Sequence, residues 1–337
     1  MKKSAIILVL SALIGLNVHA QTTMQVVPVG NPGNSADTIG YGAVAYTYEI
    51  GKYEVTNSQY VEFLNSAAAA DPYQLYLEDT GEDIFGGIVR TGSSGSYNYT
   101  SKPGYEDLPV LYITFWSAAR FTNWINNGKG NASTETGSYT LGGVQSPANA
   151  SVIRNNDATW VIANENEWYK AAYYDPTKDG NGGYWLYATQ SDSLSNSGDF
   201  SASNGANYYD GYNANGGYSG PGATAAGTYS NATSYYGTYD QTGNASEWNE
   251  DQISSSARGL RGGAWSLSEY EAQSSFRYDG SPEQTDENTG FRLVKLVSNR
   301  AGNQNPSIPE PANVGTLVAI LAFAACGAKR RKHVARN

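Results

Sequence analysis

The stretch that most limits how this chain can fold runs from Gly237 to Trp248, Gly-Thr-Tyr-Asp-Gln-Thr-Gly-Asn-Ala-Ser-Glu-Trp. Two more glycine-bearing blocks follow it, Arg261-Gly262-Gly263-Ala264-Trp265 and Gly290-Phe291-Arg292. Glycine admits backbone conformations and close approaches that a side chain blocks. Carbonyl oxygens around Gly243 can therefore converge on a point that Glu247 also reaches, and hard oxygen ligands of this kind suit Ca²⁺. The same residues read equally as a tight turn with a solvated Glu247 and a core Trp248. The block alone supports both.

Upstream, Tyr46–Val55 alternates as a strand does, with Tyr48, Ile50 and Tyr53 as its inward residues. Thr56 and Gln59 have capping-box spacing, and Tyr60, Phe63, Leu64 and Ala67 keep the period of a helix behind them. Residues 71–105 read as a long loop region. Leu111–Ile113 forms a short apolar run, after which Thr114 can cap a helix over Phe115–Asn126 whose aromatics belong to a core. Trp160–Ile162 is strand-like. Asn164 and Glu167 repeat the capping-box spacing ahead of a third helix that stops before Asp175-Pro176. Residues 178–236 are rich in Gly, Asn, Ser and Tyr and read as an ordered, irregular surface layer. Arg258–Trp265 and Thr289–Val297 are the expected closing strands, with Arg261 and Arg292 paired to carboxylates or carbonyls inside the fold.

Charge and cysteine usage narrow the chemistry. Seven of the 21 basic residues lie in the first three and last nine positions; between Gln21 and Ser307 there are 14 Lys and Arg against 30 Asp and Glu. Such a surface repels nucleic acid and anionic lipid and favours cations. The one cysteine is Cys326 and the two histidines are His19 and His333, all in terminal segments. Residues 21–308 thus lack a thiol and an imidazole, which excludes Cys or Ser–His–Asp nucleophiles and Cys/His zinc sites there.

Both termini read as export signals. Met1–Ala20 has Lys2-Lys3, an apolar run and Val18-His19-Ala20, the order of a secretory signal peptide. Residues 21–44 form a polar leader, 45–298 the domain and 299–308 a linker. Pro309-Glu310-Pro311, an apolar segment and Lys329-Arg330-Arg331-Lys332 resemble the PEP-CTERM sorting signal of exopolysaccharide-making Gram-negative bacteria. That resemblance implies exosortase and signal peptidase as processing partners. It also implies a mature protein at the cell surface, outer envelope or extracellular matrix, not embedded in the membrane. A plain C-terminal anchor is the other reading.

Together the blocks resemble the formylglycine-generating enzyme (sulfatase-modifying factor) family, whose pattern runs roughly GLYDMxGNVWEW…RGGSW…GFR. Tyr48–Tyr60, Leu108–Trp124 and Glu165–Ala172 fit in the same order, so the resemblance spans roughly residues 45–297. It implies an α+β, C-type-lectin-like fold, loop-rich with short strands and few helices. It also implies a structural calcium ion on Thr242, Gly243, Ala245 and Glu247, and a second calcium site at Asn207 and Tyr208. This chain departs from the pattern near Gly216, where the expected acidic residue is absent, and lacks the Arg-Leu-Pro lead before Glu167-Trp168. The family's oxidases carry two copper-binding cysteines after the Trp of RGGSW. Counted from Trp265, those positions hold Leu267 and Ala272. Cuprous copper needs sulfur ligands, and between Gln21 and Ser307 the only sulfur is Met24. No copper is expected, and the sequence argues against an enzyme.

Three functions remain open. The first is an exported non-catalytic binding or matrix protein, its ligand an exopolysaccharide or a surface protein. The second is a carboxylate-based enzyme acting on glycans, and the third a formylglycine generator working by another route. The binding surface of the first reading is residues 266–280 with the Tyr/Asn loops, residue types that suit adaptable recognition. Trp248-Asn249-Glu250-Asp251 also resembles the WND tripeptide of calcium-dependent sugar lectins.

Overall fold

The computed structural model describes residues 23–211, 216 and 219–297. The signal segment, the linker, the sorting segment, Cys326 and both histidines lie outside the described residues. The architecture is α+β with short strands, four α-helices among the described residues, and long coil.

One four-stranded antiparallel sheet takes strands in the order β1 (Val26–Val29), β2 (Tyr48–Gly51), β12 (Leu293–Leu296), β5 (Trp160–Ile162). Strand β1 lies within the expected leader and pairs with β2 from Val26 opposite Gly51 to Val29 opposite Tyr48. The leader is therefore part of the fold, and the boundary expected at residue 45 moves upstream. Val26-Val27-Pro28-Val29 hides this because its proline weakens a strand reading, yet β1 is an edge strand, where proline is tolerated. Strand β2 stops at Gly51, short of Val55. A Cβ there would lie 3.2 Å from the Arg292 side chain. Tyr53 consequently leaves the sheet and packs on Tyr239, ring centroids 5.3 Å apart.

The second sheet runs β10 (Tyr278–Gly280), β9 (Ala257–Arg261), β8 (Ser246–Ser254), β11 (Thr289–Phe291), with β8 and β11 parallel. The closing strand expected over Thr289–Val297 is thus two strands. The chain passes from one sheet to the other at Arg292, which is fully buried. Strand β8 was hidden behind the glycine-rich turn, which ends where the strand starts.

Helix α1 (Asn57–Ala67) begins with the expected box: Thr56 Oγ1 accepts from the Gln59 N–H while Gln59 caps the Thr56 N–H. Thr114 caps α3 (Phe115–Asn126) and Asn164 with Glu167 boxes α4 (Glu165–Tyr173). The missing Arg-Leu-Pro lead does not displace α4, because Arg154 reaches Glu167 at 2.9 Å. Residues 71–105 are not all loop: a one-turn helix, α2 (Glu78–Glu82), precedes the hairpin β3 (Ile88–Thr91)–β4 (Asn98–Ser101). The hairpin strands are short and polar, and Arg90 holds them by lying over the Tyr76 and Tyr97 rings. Helices α1 and α3 pack Tyr60, Phe63, Phe121 and Trp124 onto Phe291 of the second sheet. Helix α4 packs Trp168 and Tyr169 against Tyr48, Ile50, Val161 and Val294 of the first. A hairpin with two residues per strand, β6 (Tyr174–Asp175) with β7 (Gly183–Tyr184), leads into irregular segments described over residues 185–211 and 219–236.

Candidate functional site

The glycine-rich turn sits where both sheets and α4 meet. Gly243 is left-handed (φ 76°), and a Cβ there would lie 2.1 Å from the Asn207 carbonyl oxygen. Only glycine lets the two segments pair as they do: Asn207 bridges Gly243, and the Asn244 N–H donates to the Asn207 carbonyl at 2.8 Å. The two loops expected to hold separate calcium ions are thus hydrogen-bonded neighbours. Thr242 Oγ1 accepts from the Ala188 N–H at 2.8 Å.

Glu247 is fully buried in β8 and faces inward. Arg292 Nε donates to its Oε2 at 3.0 Å and Arg292 Nη2 to its Oε1 at 2.8 Å, while Trp168 Nε1 donates to Oε2 at 2.7 Å. The same guanidinium donates to the carbonyls of Gly51 and Tyr239, both at 2.9 Å. Arg292 thus ties β2, the glycine-rich turn and β8 to the point where the chain changes sheets. Arg261 plays a parallel part against Glu165 and the carbonyls of Ser274 and Phe276.

Two more carboxylates stand beside this pair. Glu54 accepts from Asn244 Nδ2 at 3.2 Å and from the Ala245 N–H at 3.3 Å; Asp240 accepts from the Gly227 N–H at 2.7 Å. Burial lifts Glu54 well above the ordinary carboxylate range, with Asp240 and Glu247 adding repulsion. Burial likewise lifts Asp240 to about 6. Neither group stood out in the sequence. Glu54 meets its partners across 190 positions, and nothing local in Tyr53-Glu54-Val55 announces a buried carboxylate.

An ion reaching Glu247 would share its carboxylate with Arg292 and Trp168. Asn207 offers a different kind of group. Its side chain is 1% exposed, its Nδ2 donates to Gly222 O and Asn244 Oδ1, and its Oδ1 is buried without a partner. A neutral oxygen left over in this way is what calcium takes. Among the described residues no three His, Cys, Asp or Glu side chains gather to hold a metal, so calcium here would rest mainly on amide and carbonyl oxygens. Trp248, Asn249 and Asp251 do not form a lectin-type sugar site: Trp248 and Asn249 are fully buried, and Asp251 accepts from the Glu165 N–H.

The segment after Trp265 forms the outer face. Leu267 is half-buried and its carbonyl accepts from the Tyr209 N–H at 2.7 Å. Ala272 is fully buried at the end of a 3₁₀ turn, Glu269–Ala272, which Ser268 and Glu271 cap. Gly263 lies so close that a Cβ on it would be 2.9 Å from Ala272 Cα. Around this turn Tyr270 is 58% exposed and stands edge-on to Phe276, which stands edge-on to Tyr278. Glu271 accepts from the Tyr278 hydroxyl at 2.7 Å.

The solved structures similar to this chain include three of low identity. The crystal structure of CarF is 18% identical, covering 82% of this chain and 99% of that one, with a TM-score of 0.48. Treponema denticola variable protein 1 is 17% identical, covering 81% and 95%, TM-score 0.49. PvdO from Pseudomonas aeruginosa is 14% identical, covering 81% and 92%, TM-score 0.44. At these values the likenesses carry no weight on function. No curated protein matches the chain. The sulfatase-modifying factor enzyme 1-like domain matches residues 22–297, which takes in both four-stranded sheets, β1 included, and the four α-helices of the described residues. The chain belongs to the family of that domain.

Proposed function

We propose that this is an exported, non-catalytic binding protein that uses the sulfatase-modifying factor fold as a scaffold. The observation that carries the reading is the turn after Trp265. The resemblance puts two thiols at Leu267 and Ala272; these positions hold a half-buried aliphatic side chain and a methyl packed against the Gly263 backbone. In place of redox chemistry the face offers Tyr270, Phe276 and Tyr278 with Glu271 and Gln273, large rigid rings beside polar groups, the mixture that recognition surfaces favour. An exopolysaccharide or a surface protein is the ligand. Tyr270→Ala, at an exposed ring, should leave the melting temperature unchanged and reduce retention on exopolysaccharide and envelope proteins from the source organism. Equal retention of wild type and variant on both would overturn the assignment of this face.

Calcium belongs to the same proposal as a stabiliser of the paired loops. Asn207, Tyr208, Thr242, Gly243 and Ala245 would hold it, with Glu247 shared with Arg292. Binding to the native loops alone stabilises by about 2.7 kcal/mol at a hundredfold excess over Kd. Chelator should lower the melting temperature by several degrees, and Asn207→Ala should abolish the difference. Identical melting of the wild type in calcium and in chelator would leave these loops as turns only.

Export is proposed from the two termini. Among the described residues no helix is long and apolar enough to cross a membrane. Intact-mass measurement of the native protein should give a species starting at Gln21 and lacking Cys326; a full-length membrane species as the main form would contradict it.

A further inference from the structure

A cavity of about 520 Å³ opens between the 35–38 loop and the β6–β7 hairpin, with Ser274 of the outer-face segment at its edge. Its size falls in the range of roughly 300–1,000 Å³ typical of small-ligand sites. Tyr184 and Trp185 line one wall; Asp37, Thr38, Asn181 and Asp192 line the rest.

The walls are fixed in advance. Asn34 Nδ2 donates to the Tyr184 hydroxyl oxygen at 2.7 Å, and that hydroxyl donates to the Ser35 carbonyl at 2.7 Å. Gly42 is left-handed (φ 88°), and a Cβ on it would lie 2.6 Å from the Tyr184 ring, so the loop closes on the ring only because that atom is missing. Trp185 Nε1 donates to Asp175 Oδ2 at 3.1 Å. Lys178 Nζ stands 3.9 Å over one face of the Trp185 ring. Trp185 lines the cavity and Lys178 does not.

The charges decide what fits. No Lys or Arg is among the lining residues; Lys178 stands behind the wall and neutralises Asp192, so Asp37 is the carboxylate without a cationic partner and the one that disfavours phosphate, sulfate or uronate groups. Both carboxylates already have donors. Asp37 accepts from the Ile39 and Tyr41 N–H groups and the Tyr169 hydroxyl; Asp192 accepts from Lys178 Nζ, 3.1 Å to each oxygen, and from the Leu186 N–H. A cationic guest would compete with those donors. Spare carboxylate lone pairs still accept from hydroxyl groups, and Asn181 and Thr38 keep their side-chain amide and hydroxyl for a guest. Apolar ring faces beside several such groups match a molecule with one C–H face and a rim of hydroxyls.

We propose that this cavity is a subsite for a neutral sugar ring, with Trp185 and Tyr184 as the platform and Asp192 and Asn181 as hydroxyl partners. The inference rests on the binding-protein reading and extends its ligand from the outer face past Ser274 into the cavity. The test is a microarray of neutral, amino and uronic or sulfated oligosaccharides probed with residues 21–308, then fluorescence titration of the strongest neutral one. Retention of neutral glycans is expected, with affinity lowered at least tenfold by Trp185→Ala and severalfold by Asn181→Ala at an exposed side chain, and restored in large part by Trp185→Phe. Should Trp185→Ala unfold, Asn181→Ala and Trp185→Phe still decide the matter. Retention of only charged glycans, of none, or unchanged affinity in Asn181→Ala and Trp185→Ala would overturn the subsite. If affinity falls in Tyr270→Ala and not in the cavity variants, the subsite fails and the outer-face reading stands.

Discussion

Glu247 and Arg292 hold the junction of the two sheets, and removing one of them strands a charge in a dry place. Such a break typically costs about 3–5 kcal/mol. Arg292→Met should therefore lower the denaturation midpoint sharply. It also removes donors from the Gly51 and Tyr239 carbonyls, so Glu247→Gln, which leaves those two contacts in place and keeps one of the two acceptor oxygens, should cost less. Equal losses from the two, in urea titrations, would mean that the pair and not its carbonyl contacts dominates. Lys170 makes a second residue-scale case. Its side chain is fully buried and its ammonium donates to the Asn31 carbonyl at 2.8 Å. Burial lowers its pKa to about 8. The unfolded chain, with an ordinary lysine near 10.4, then binds more protons than the folded one between about pH 8 and 10. Stability contributed by this group rises with pH through that window. Lys170→Met should raise the midpoint at pH 7 and flatten the rise between pH 8 and 9.5. A midpoint difference between variant and wild type that does not change with pH would contradict it.

At the scale of elements, helix starts were the most legible part of the sequence. Thr56, Thr114 and Asn164 each signalled a cap, and each side chain accepts the expected N–H. Thr56→Ala should cost about 1 kcal/mol, read as a shift of the urea midpoint with unchanged slope; a null shift would mean that the Thr56–Pro109 bridge carries the helix start instead. Strands were legible only where apolar residues alternate. Tyr48–Gly51 met that condition, and Trp160–Ile162 was legible as a short unbroken apolar run; β1, β3, β4 and β8 offered neither signal and owe their state to partners distant in sequence. The turn at Gly243 could be read as tight because glycine clusters there. That its close neighbour is Asn207, and that Glu54 and Asp240 sit behind it, depends on contacts no local pattern carries.

For the whole molecule, a chain without cysteine or histidine among its described residues keeps a fold in which two sheets are locked by buried Arg–Glu pairs and an aromatic core. The fold is complete without sulfur at Leu267 and Ala272, where the resemblance expects thiols. Ala272 fills its place by packing on Gly263, and the turn around it displays rings. The proposal that this chain keeps the fold without the oxidation chemistry that the resemblance implies is open to one assay. Residues 21–308 are incubated with a cysteine-containing sulfatase peptide, with and without copper, and the peptide is weighed by mass spectrometry beside an active formylglycine generator. An unchanged peptide mass is expected in both conditions. Conversion of the cysteine to formylglycine, with a loss of mass that depends on this protein, would contradict it.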